Sequence, residues 1–516
     1  MKKNVKPMTL VIRADAFRSI GTGHVMRCIA LGLAWKSYGG NVYFVSHCEG
    51  DQLRNRIVKE GFQFIDIHEP HPHPNDIDTI SSLLHNISTS EYRDKTIVVL
   101  DGYHFDSYYQ KTIKLKGFRL LCIDDYGHAA QYCADVILNQ NLSADISLYP
   151  NCSPNTRFLL GPRYALLRKE FVSYKNWPRV IPSVAKKVLV TMGGTDKDNF
   201  TLRIVHALNK ISIPDLEVAV ILGPANQHKS EIENALKISP FNGKLLASVD
   251  NMAEAMAWAD VAIAAGGSTS WELAFMGLPS LLVILAENQR PIIEKLESTG
   301  ISINLGWHNK VNLDTITKAV ESIIKDQKVR ETMSNKGRSL VNGNGSNKVI
   351  KLLIDTHITF RPAHKEDCRL AWKWANDPEI RSASFSTDPI SWERHVHWFV
   401  EKLNDSDHVF FILLRFDDEP VGQVRYAIIG REAVISMSIA PKFRGHGYGI
   451  QGIRMTVEEL FRNRDIDVVR AHIKPDNFKS VKTFTRAGFL EDNSAIEGSS
   501  RKQSLKFSIS KDDVLS

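Results

Sequence analysis

The stretch RADAFRSIGTGHVMRCIALGLAW, residues 13–35, decides how the first third of the chain is read. It joins an apolar strand, TLVIRAD (9–15), to a segment in which Val25, Ile29 and Leu33 recur at four-residue steps. That spacing puts one apolar stripe on a helix, and Gly39-Gly40 stops it. The turn between them carries Gly21, Thr22 and Gly23 and runs directly into His24. A turn at the carboxyl end of a first parallel strand is where doubly wound sheets bind ligands, and the free amides of the helix start favour an anion. His24 and Arg27 stand where a GxGxxG turn needs glycines, and no GK[ST] follows. Neither a dinucleotide fingerprint nor a P-loop is therefore present. A histidine here can take a proton from water near neutral pH, or it can serve only to hydrogen-bond the turn.

The alternation continues outward. NVYFVSH (41–47), TIVVLDGY (96–103) and LLCIDDY (120–126) read as further buried strands of a parallel sheet. After an irregular stretch at 164–182 the pattern restarts with KVLVTMGG (187–194), LEVAVILG (216–223), ADVAIAAGG (259–267) and LPSLLVIL (278–285). The polar NGNGSN (342–347) leads into a last helix. From Ile358 the pattern changes. A strand opens ITFRPAHKED (358–367), a helix carries Trp372 and Trp374, a hairpin over 408–429 turns at 417–420, and AVISMSIA (433–440) is another strand. The expected domains are an α/β half over 1–175, a second α/β half over 176–354 and a mixed α/β domain over 355–516.

Composition sets bounds on function. A chain of 516 residues exceeds one ordinary domain, and 43% hydrophobic residues suffice for several cores. A net charge of +7 with Lys and Arg dispersed suits anionic small substrates but not a nucleic-acid-binding stripe. The six cysteines form no CxxC pair, which argues against zinc or a disulfide framework and suits a reducing cytosol. No secretory segment is legible, and the longest apolar run, at 278–286, is far below the ~18 residues a membrane span needs. A soluble cytoplasmic protein is expected, with no metal, no nucleic acid and no membrane as partner.

Two further turns bear on the first. AAGGSTSWELAFMGLP (264–279) is a strand, a Gly-Gly turn and a helix. Thr269 and Glu272 fit a capping box. Alternatively, Gly266, Gly267, Ser268 and Thr269 cradle a diphosphate while Glu272 accepts from ribose hydroxyls. TMGGTD (191–196) places Gly193 and Gly194 after another strand, able to close the same site. Asp15, Asp101 and Tyr103 sit at strand ends. Asp15 can orient His24, bind sugar hydroxyls or cap the turn, and Asp101 and Tyr103 are expected sugar contacts.

Two α/β units with these turns resemble the GT-B glycosyltransferase fold, in which UDP-sugars lie between the halves. GTGHVMR (21–27), GPRYALLRKEF (161–171), MGGTD (192–196), GGSTSWELAFMGLP (266–279) and ENQ (287–289) look closer still to the UDP-sugar hydrolases of the pseudaminic acid pathway, over residues 8–352. The resemblance implies water as acceptor, His24 as the base that activates it, Asp15 as a second catalytic residue, and Arg27, Asn288 and Gln289 among the substrate contacts.

IAPKFRGHGYGIQG (439–452) satisfies R-x-x-G-x-G through Arg444, Gly447 and Gly449, and NFKSVKTFTRAGF (477–489) follows. Together they resemble the GNAT acetyltransferases over 357–510. The resemblance implies acetyl-CoA as co-substrate. Its pyrophosphate would lie on Arg444, Gly445, Gly447, Tyr448, Gly449 and Ile450, its pantetheine along Met437 and Ile439, with Asn477 nearby. Phe484 stands where many members have a tyrosine acid and has no proton to give. Glu432, His395 and His397 are candidate bases by residue type only. The whole reads as a bifunctional enzyme. It acetylates the 4-amino group of a UDP-4-amino-4,6-dideoxy-N-acetyl-altrosamine and then hydrolyses the diacetamido product to UDP and free sugar. The alternatives are a GT-B glycosyltransferase, or a non-catalytic UDP-sugar sensor, joined to an acetyltransferase.

Overall fold

Strand β1 (Thr9–Ala14) is buried along its whole length, as a strand covered on both faces must be. The structure is a computed structural model and describes residues 8–515 except 18–19, 74, 88–94, 155, 195, 224–225, 248, 250, 356–357, 416–417 and 493–503. Thr195 of the second glycine turn, Thr356 at the expected boundary and Asp417 of the expected hairpin turn lie outside the described residues. The chain divides into two compact units between residues 350 and 351.

In the larger unit β1 is followed by β2 (Asn41–Ser46), β3 (Gln63–Asp66), β4 (Thr96–Asp101), β5 (Arg119–Ile123), β6 (Val136–Asn139) and β7 (Arg157–Leu160). They form one parallel sheet in the order β3-β2-β1-β4-β5-β6-β7. A second parallel sheet contains β8 (Lys187–Thr191), β9 (Glu217–Leu222), β10 (Asn242–Ala247), β11 (Val261–Ala265), β12 (Ser280–Ile284) and β13 (Ser302–Trp307), ordered β10-β9-β8-β11-β12-β13. Both sheets reverse their strand order once, at β1/β4 and at β8/β11. Crossovers leaving such a pair diverge, and a crevice opens at the carboxyl ends. All four expected strands of the first half and all four of the second are present.

The smaller unit is a mixed sheet. It contains β14 (Ile358–Pro362), β15 (His408–Arg415), β16 (Pro420–Ile429), β17 (Glu432–Ile439), β18 (Val468–Ile473), β19 (Leu490–Glu491) and β20 (Leu505–Ser510), ordered β14-β15-β16-β17-β18-β20-β19. Only β17 and β18 run parallel, and they pair only from Glu432 to Val434. Beyond Val434 the two strands part.

Gly345 opens the helix Gly345–Asp355 pressed against the 164–165 backbone, where any side chain would collide with the Ala165 carbonyl. Gly345→Val is expected to lose about 1–3 kcal/mol of stability by overpacking. Gly430→Asn, at a positive φ of 61° with open space around it, should change little. Thermal melting of the full chain distinguishes the two.

Candidate functional site

The crevice of the first sheet is built by three side chains of one helix face and one strand end. His24, Arg27 and Cys28 lie at i, i+3 and i+4 on the helix Gly23–Ser37, so they share a face. That face meets Asp101, which closes β4 beside Ala14 of β1. His24 Nδ1 is 2.6 Å from Asp101 Oδ1, Arg27 Nη2 donates to the same oxygen at 2.6 Å, and Arg27 Nε donates to Oδ2 at 2.7 Å. Cys28 Sγ lies 3.3 Å from Oδ2. Asp101 has no solvent exposure. Burial alone would push its carboxyl up, but Arg27 and His24 hold it well below the usual carboxylate range. An ionised Asp101 accepts the hydrogen bond of His24 Nδ1–H, which leaves the lone pair on Nε2.

Arg27 is held again by Asp125, whose Oδ1 accepts from Nη1 at 2.9 Å. Tyr103 donates to Asp125 Oδ2 at 2.7 Å and accepts from Asn288 Nδ2 of the second half at 3.2 Å. The Tyr103 ring meets the His24 ring edge-on, centroids 5.0 Å apart. Tyr103 and Asn288, both expected at the site, are thus brought together beside His24.

The three glycine turns converge. A Cβ on Gly194 would lie 3.7 Å from Gly21 Cα, and one on Gly23 would lie 3.7 Å from Ser268 Oγ. Gly21, Gly193 and Gly267 adopt φ of 73°, 80° and 130°, and nothing stands within 4 Å of a Cβ built on any of them. Neither Thr22 nor Ser268 caps the helix it precedes with its side chain, so amides at both helix starts remain available. Gly266 differs: a side chain there would strike Ile293, so this glycine serves packing.

Several residues take other roles than the sequence suggested. Asp15 is not the partner of His24. It is fully buried, pairs with Arg13, and accepts from the His47 amide at 2.8 Å and the His71 amide at 3.3 Å. Asp101 and Arg27, read as ligand contacts, spend their polar atoms on each other and on their neighbours. Glu272 forms no capping box with Thr269. Its two oxygens accept from Arg168 Nε and Nη2 at 2.6 and 2.7 Å. Gln289 accepts from the Leu285 amide at 2.9 Å and thereby shapes the turn after β12. Sequence reasoning assigned no role to Asp125, Arg168 or Gly223. Asp125 stands at the end of an expected strand and Arg168 within a quoted motif. A side chain on Gly223 would collide with the carbonyls of Gly193 and Gly194.

In the smaller unit the edge of β17 is free of β18 from Ile435 onward, over Met437 and Ile439. The turn that follows puts Gly445 and Gly447 at φ of 80° and 83°, and the helix Tyr448–Asn463 starts without a side-chain cap. A Cβ on Gly449 would press on Met437 and Thr483. Tyr448 is 2% exposed and packs on Phe443, with Ile450 against the same core. Asn477 caps the helix Phe478–Ala487 through the Ser480 amide. Arg444 does not point into open space. It donates to Ile439 O, Asp377 and Glu379 at 3.1, 2.5 and 2.6 Å. Phe484 is buried against Phe489. Glu432 is held by Arg470, and His397 is exposed.

Among the described residues no group of three or more His, Cys, Asp or Glu is arranged to hold a metal ion, and no helix is long and apolar enough to cross a membrane.

Residues 357–490 match the acetyltransferase (GNAT) domain family, and residues 187–353 match the glycosyltransferase family 28 C-terminal domain. An uncharacterized protein of Methanocaldococcus jannaschii is 25% identical over 496 residues, 93% of this chain and 96% of its own. The pseudaminic acid cytidylyltransferase and UDP-2,4-diacetamido-2,4,6-trideoxy-beta-L-altropyranose hydrolase of Helicobacter pylori is 25% identical over 321 residues, 62% of this chain and 51% of its own. The solved structure of Acinetobacter baumannii MurG covers 67% of this chain and 98% of its own at 16% identity, with a TM-score of 0.48. With the sheet orders above, the fold is a GT-B-like pair of doubly wound α/β domains followed by a mixed α/β GNAT domain.

The Asp101 network fixes a pH dependence. A carboxyl whose folded pKa lies below its unfolded value adds stability that is present above about pH 4 and lost as pH falls toward the folded value. Asp101→Asn is expected to cost about 3–5 kcal/mol at neutral pH, because Arg27 loses a buried partner. Its urea midpoint should also fall less steeply than that of the wild type as the pH is lowered below about 4.

Proposed function

We propose that the larger unit hydrolyses a UDP-linked 2,4-diacetamido-2,4,6-trideoxy sugar to UDP and free sugar. The observation that carries this reading is the His24–Asp101 pair standing beside three open glycine turns. The turns offer backbone amides to a diphosphate, drawn from Gly21 to Gly23, Gly193 and Gly194, and Gly267 to Thr269. Tyr103 and Asn288 close the pocket next to His24. Asp101 keeps Nδ1 protonated, so Nε2 takes a proton from water while that water's oxygen bonds to the anomeric carbon. The bond from that carbon to the diphosphate oxygen breaks, and its electron pair leaves with UDP. The similarity to the Helicobacter pylori hydrolase supports this substrate class.

The smaller unit would acetylate the 4-amino group beforehand. Acetyl-CoA supplies the acetyl group as a thioester. The free β17 edge over Met437 and Ile439 fits backbone pairing with an extended pantetheine arm. Gly445 and Gly447, which lack a Cβ at left-handed positions, fit close approach of a pyrophosphate to the helix start. Phe484 gives no proton to the departing thiolate.

Two experiments test this. His24→Asn should slow UDP release by at least ~100-fold while UDP binding changes far less, since a general base contributes typically 10²- to 10⁴-fold. Assays run without any sugar acceptor separate hydrolysis from glycosyl transfer and from mere binding. UDP release at wild-type rate by the variant, or none from wild type, refutes the reading. Gly447→Val should weaken coenzyme A binding in calorimetry and leave UDP release unaltered.

A further inference from the structure

One face of the β16–β17 pair in the GNAT domain carries polar atoms that no described residue satisfies. Strand alternation puts Gln423 and Arg425 on the same face. The register sets Gln423 opposite Ser438, and Arg425 opposite Ser436 and Phe410. The opposite face, with Tyr426 and Met437, packs on the helix Tyr448–Asn463, where Tyr426 meets Thr456 at 2.8 Å. Gln423 and Ser438 are 3% and 5% exposed, yet Gln423 Oε1 and Ser438 Oγ have no hydrogen-bond partner. His395, 3% exposed on the helix Trp392–Asn404, has Nε2 unpartnered, its other nitrogen being held by the Cys368 backbone.

The Arg425 guanidinium lies over Trp398 at 5.0 Å and Phe410 at 5.7 Å. It makes no hydrogen bond or ion pair with any described residue, and its Nε is buried without a partner. The charged neighbour that acts on it is another cation, Arg381. Among the described residues Arg381 reaches the Asp388 carbonyl and the Ser384 hydroxyl, and its Nε is without a partner there too. Burial and then Arg381 push Arg425 down to about 10, so it stays cationic at neutral pH. Burial and then Arg425 push His395 down, so its ring is neutral there.

Buried charges in folded proteins are paired, and buried polar atoms are satisfied. Here Arg425 feels the charge of a second arginine and pairs with no carboxylate among the described residues. Donors (Arg425, Arg381, Ser438) lie beside bare acceptors (Gln423 Oε1, His395 Nε2). Ser438 belongs to the same free stretch of β17 that fits the thioester arm. A ligand that completes this set carries an oxyanion for the arginines and an amine for the acceptors. A polyamine, all cation, is repelled.

We propose that this face is the acceptor subsite of the acetyltransferase and that its acceptor is an amine bearing an oxyanion, a phosphate or a carboxylate. The proposal rests on the acetyl-transfer reading of this domain. The test uses the full chain saturated with coenzyme A. Phenylglyoxal modifies unpaired arginines that a small anion can also reach, and peptide mass spectrometry reads each site with inorganic pyrophosphate or citrate present. Arg425 and Arg381 should react, and one anion should slow both. Protection by pyrophosphate identifies a phosphate-bearing acceptor, and protection by citrate alone a carboxylate-bearing one. Protection by neither, or arginines that do not react, overturns the subsite. In a second measurement, coenzyme A release is followed with a UDP-linked amino sugar, the same sugar without UDP, and spermidine. Arg425→Gln should raise the KM of the anionic acceptor about ten- to a hundred-fold, the worth of a charged hydrogen bond, and leave the KM of acetyl-CoA alone. Equal use of the free sugar or of spermidine overturns the subsite. If pyrophosphate protects the arginines and no amine is acetylated, the acetyl-transfer reading fails and the anion subsite stands.

Discussion

Asp101 is a carboxylate without solvent, and an ionised group in that position persists only if opposite charge is already in place. Arg27 supplies it through two hydrogen bonds, and His24 adds a third. The arginine is then balanced by Asp125, which is itself fixed by Tyr103 and by Asn141 at 3.0 Å. Tyr103 reaches Asn288 in the second half. One buried charge therefore orders a line of side chains from the first helix to the opposite sheet. Each link is directional, so His24 is held in one tautomer and one ring orientation. A base that must meet a water at a single carbon atom gains from such fixing, because misplacement costs rate steeply.

The placement of that line follows from topology. In both sheets of the larger unit, glycine turns leave the strands at which the order reverses. The first such pair, β1 and β4, contributes His24 and Asp101, while β8 and β11 lead to Gly193 and Gly267. The GNAT domain solves a similar problem differently. Its one parallel pair parts after Val434, and β17 is left unpaired on that side. In both units the contacts proposed for the ligand thus come from backbone groups rather than side chains.

Much of this was legible in the sequence because buried parallel strands are nearly continuous apolar runs. The runs at 9–15, 96–103, 187–194 and 259–267 could be placed without structure. Strands such as QFID (63–66) and SINLGW (302–307) could not, since they are short or interrupted by polar residues. His24 stood out because it occupies a glycine's place. Its partner did not, because a sequence does not state that β4 rather than β2 lies on the far side of β1's helix. Asp15, nearer along the chain, was the natural choice, and Arg13 had already claimed it. Glu272 shows the same failing. Its spacing from Thr269 satisfied a local capping rule, but an arginine 104 residues away offered two charged hydrogen bonds in place of one weak cap.

Arginine pairing separates the two units in a way that bears on how each meets an anion. In the larger unit Arg13, Arg27 and Arg168 are each matched to buried carboxylates. Their charges are internal, so the proposed diphosphate site is left to backbone amides. In the GNAT domain Arg444, the arginine of the glycine motif, is likewise spent on Asp377 and Glu379, and Lys479 shares the second of these. A pyrophosphate at Gly445 and Gly447 would therefore meet amides first, with Arg444 acting to hold the turn against the helix Pro378–Ala383. That same short helix carries Arg381, the cation whose charge acts on Arg425. The helix thus anchors the glycine turn through its carboxylates and lends its cation to the opposite side of the sheet. The glycine turn and the Arg425 face of one small domain thus draw on different side chains of the same helix.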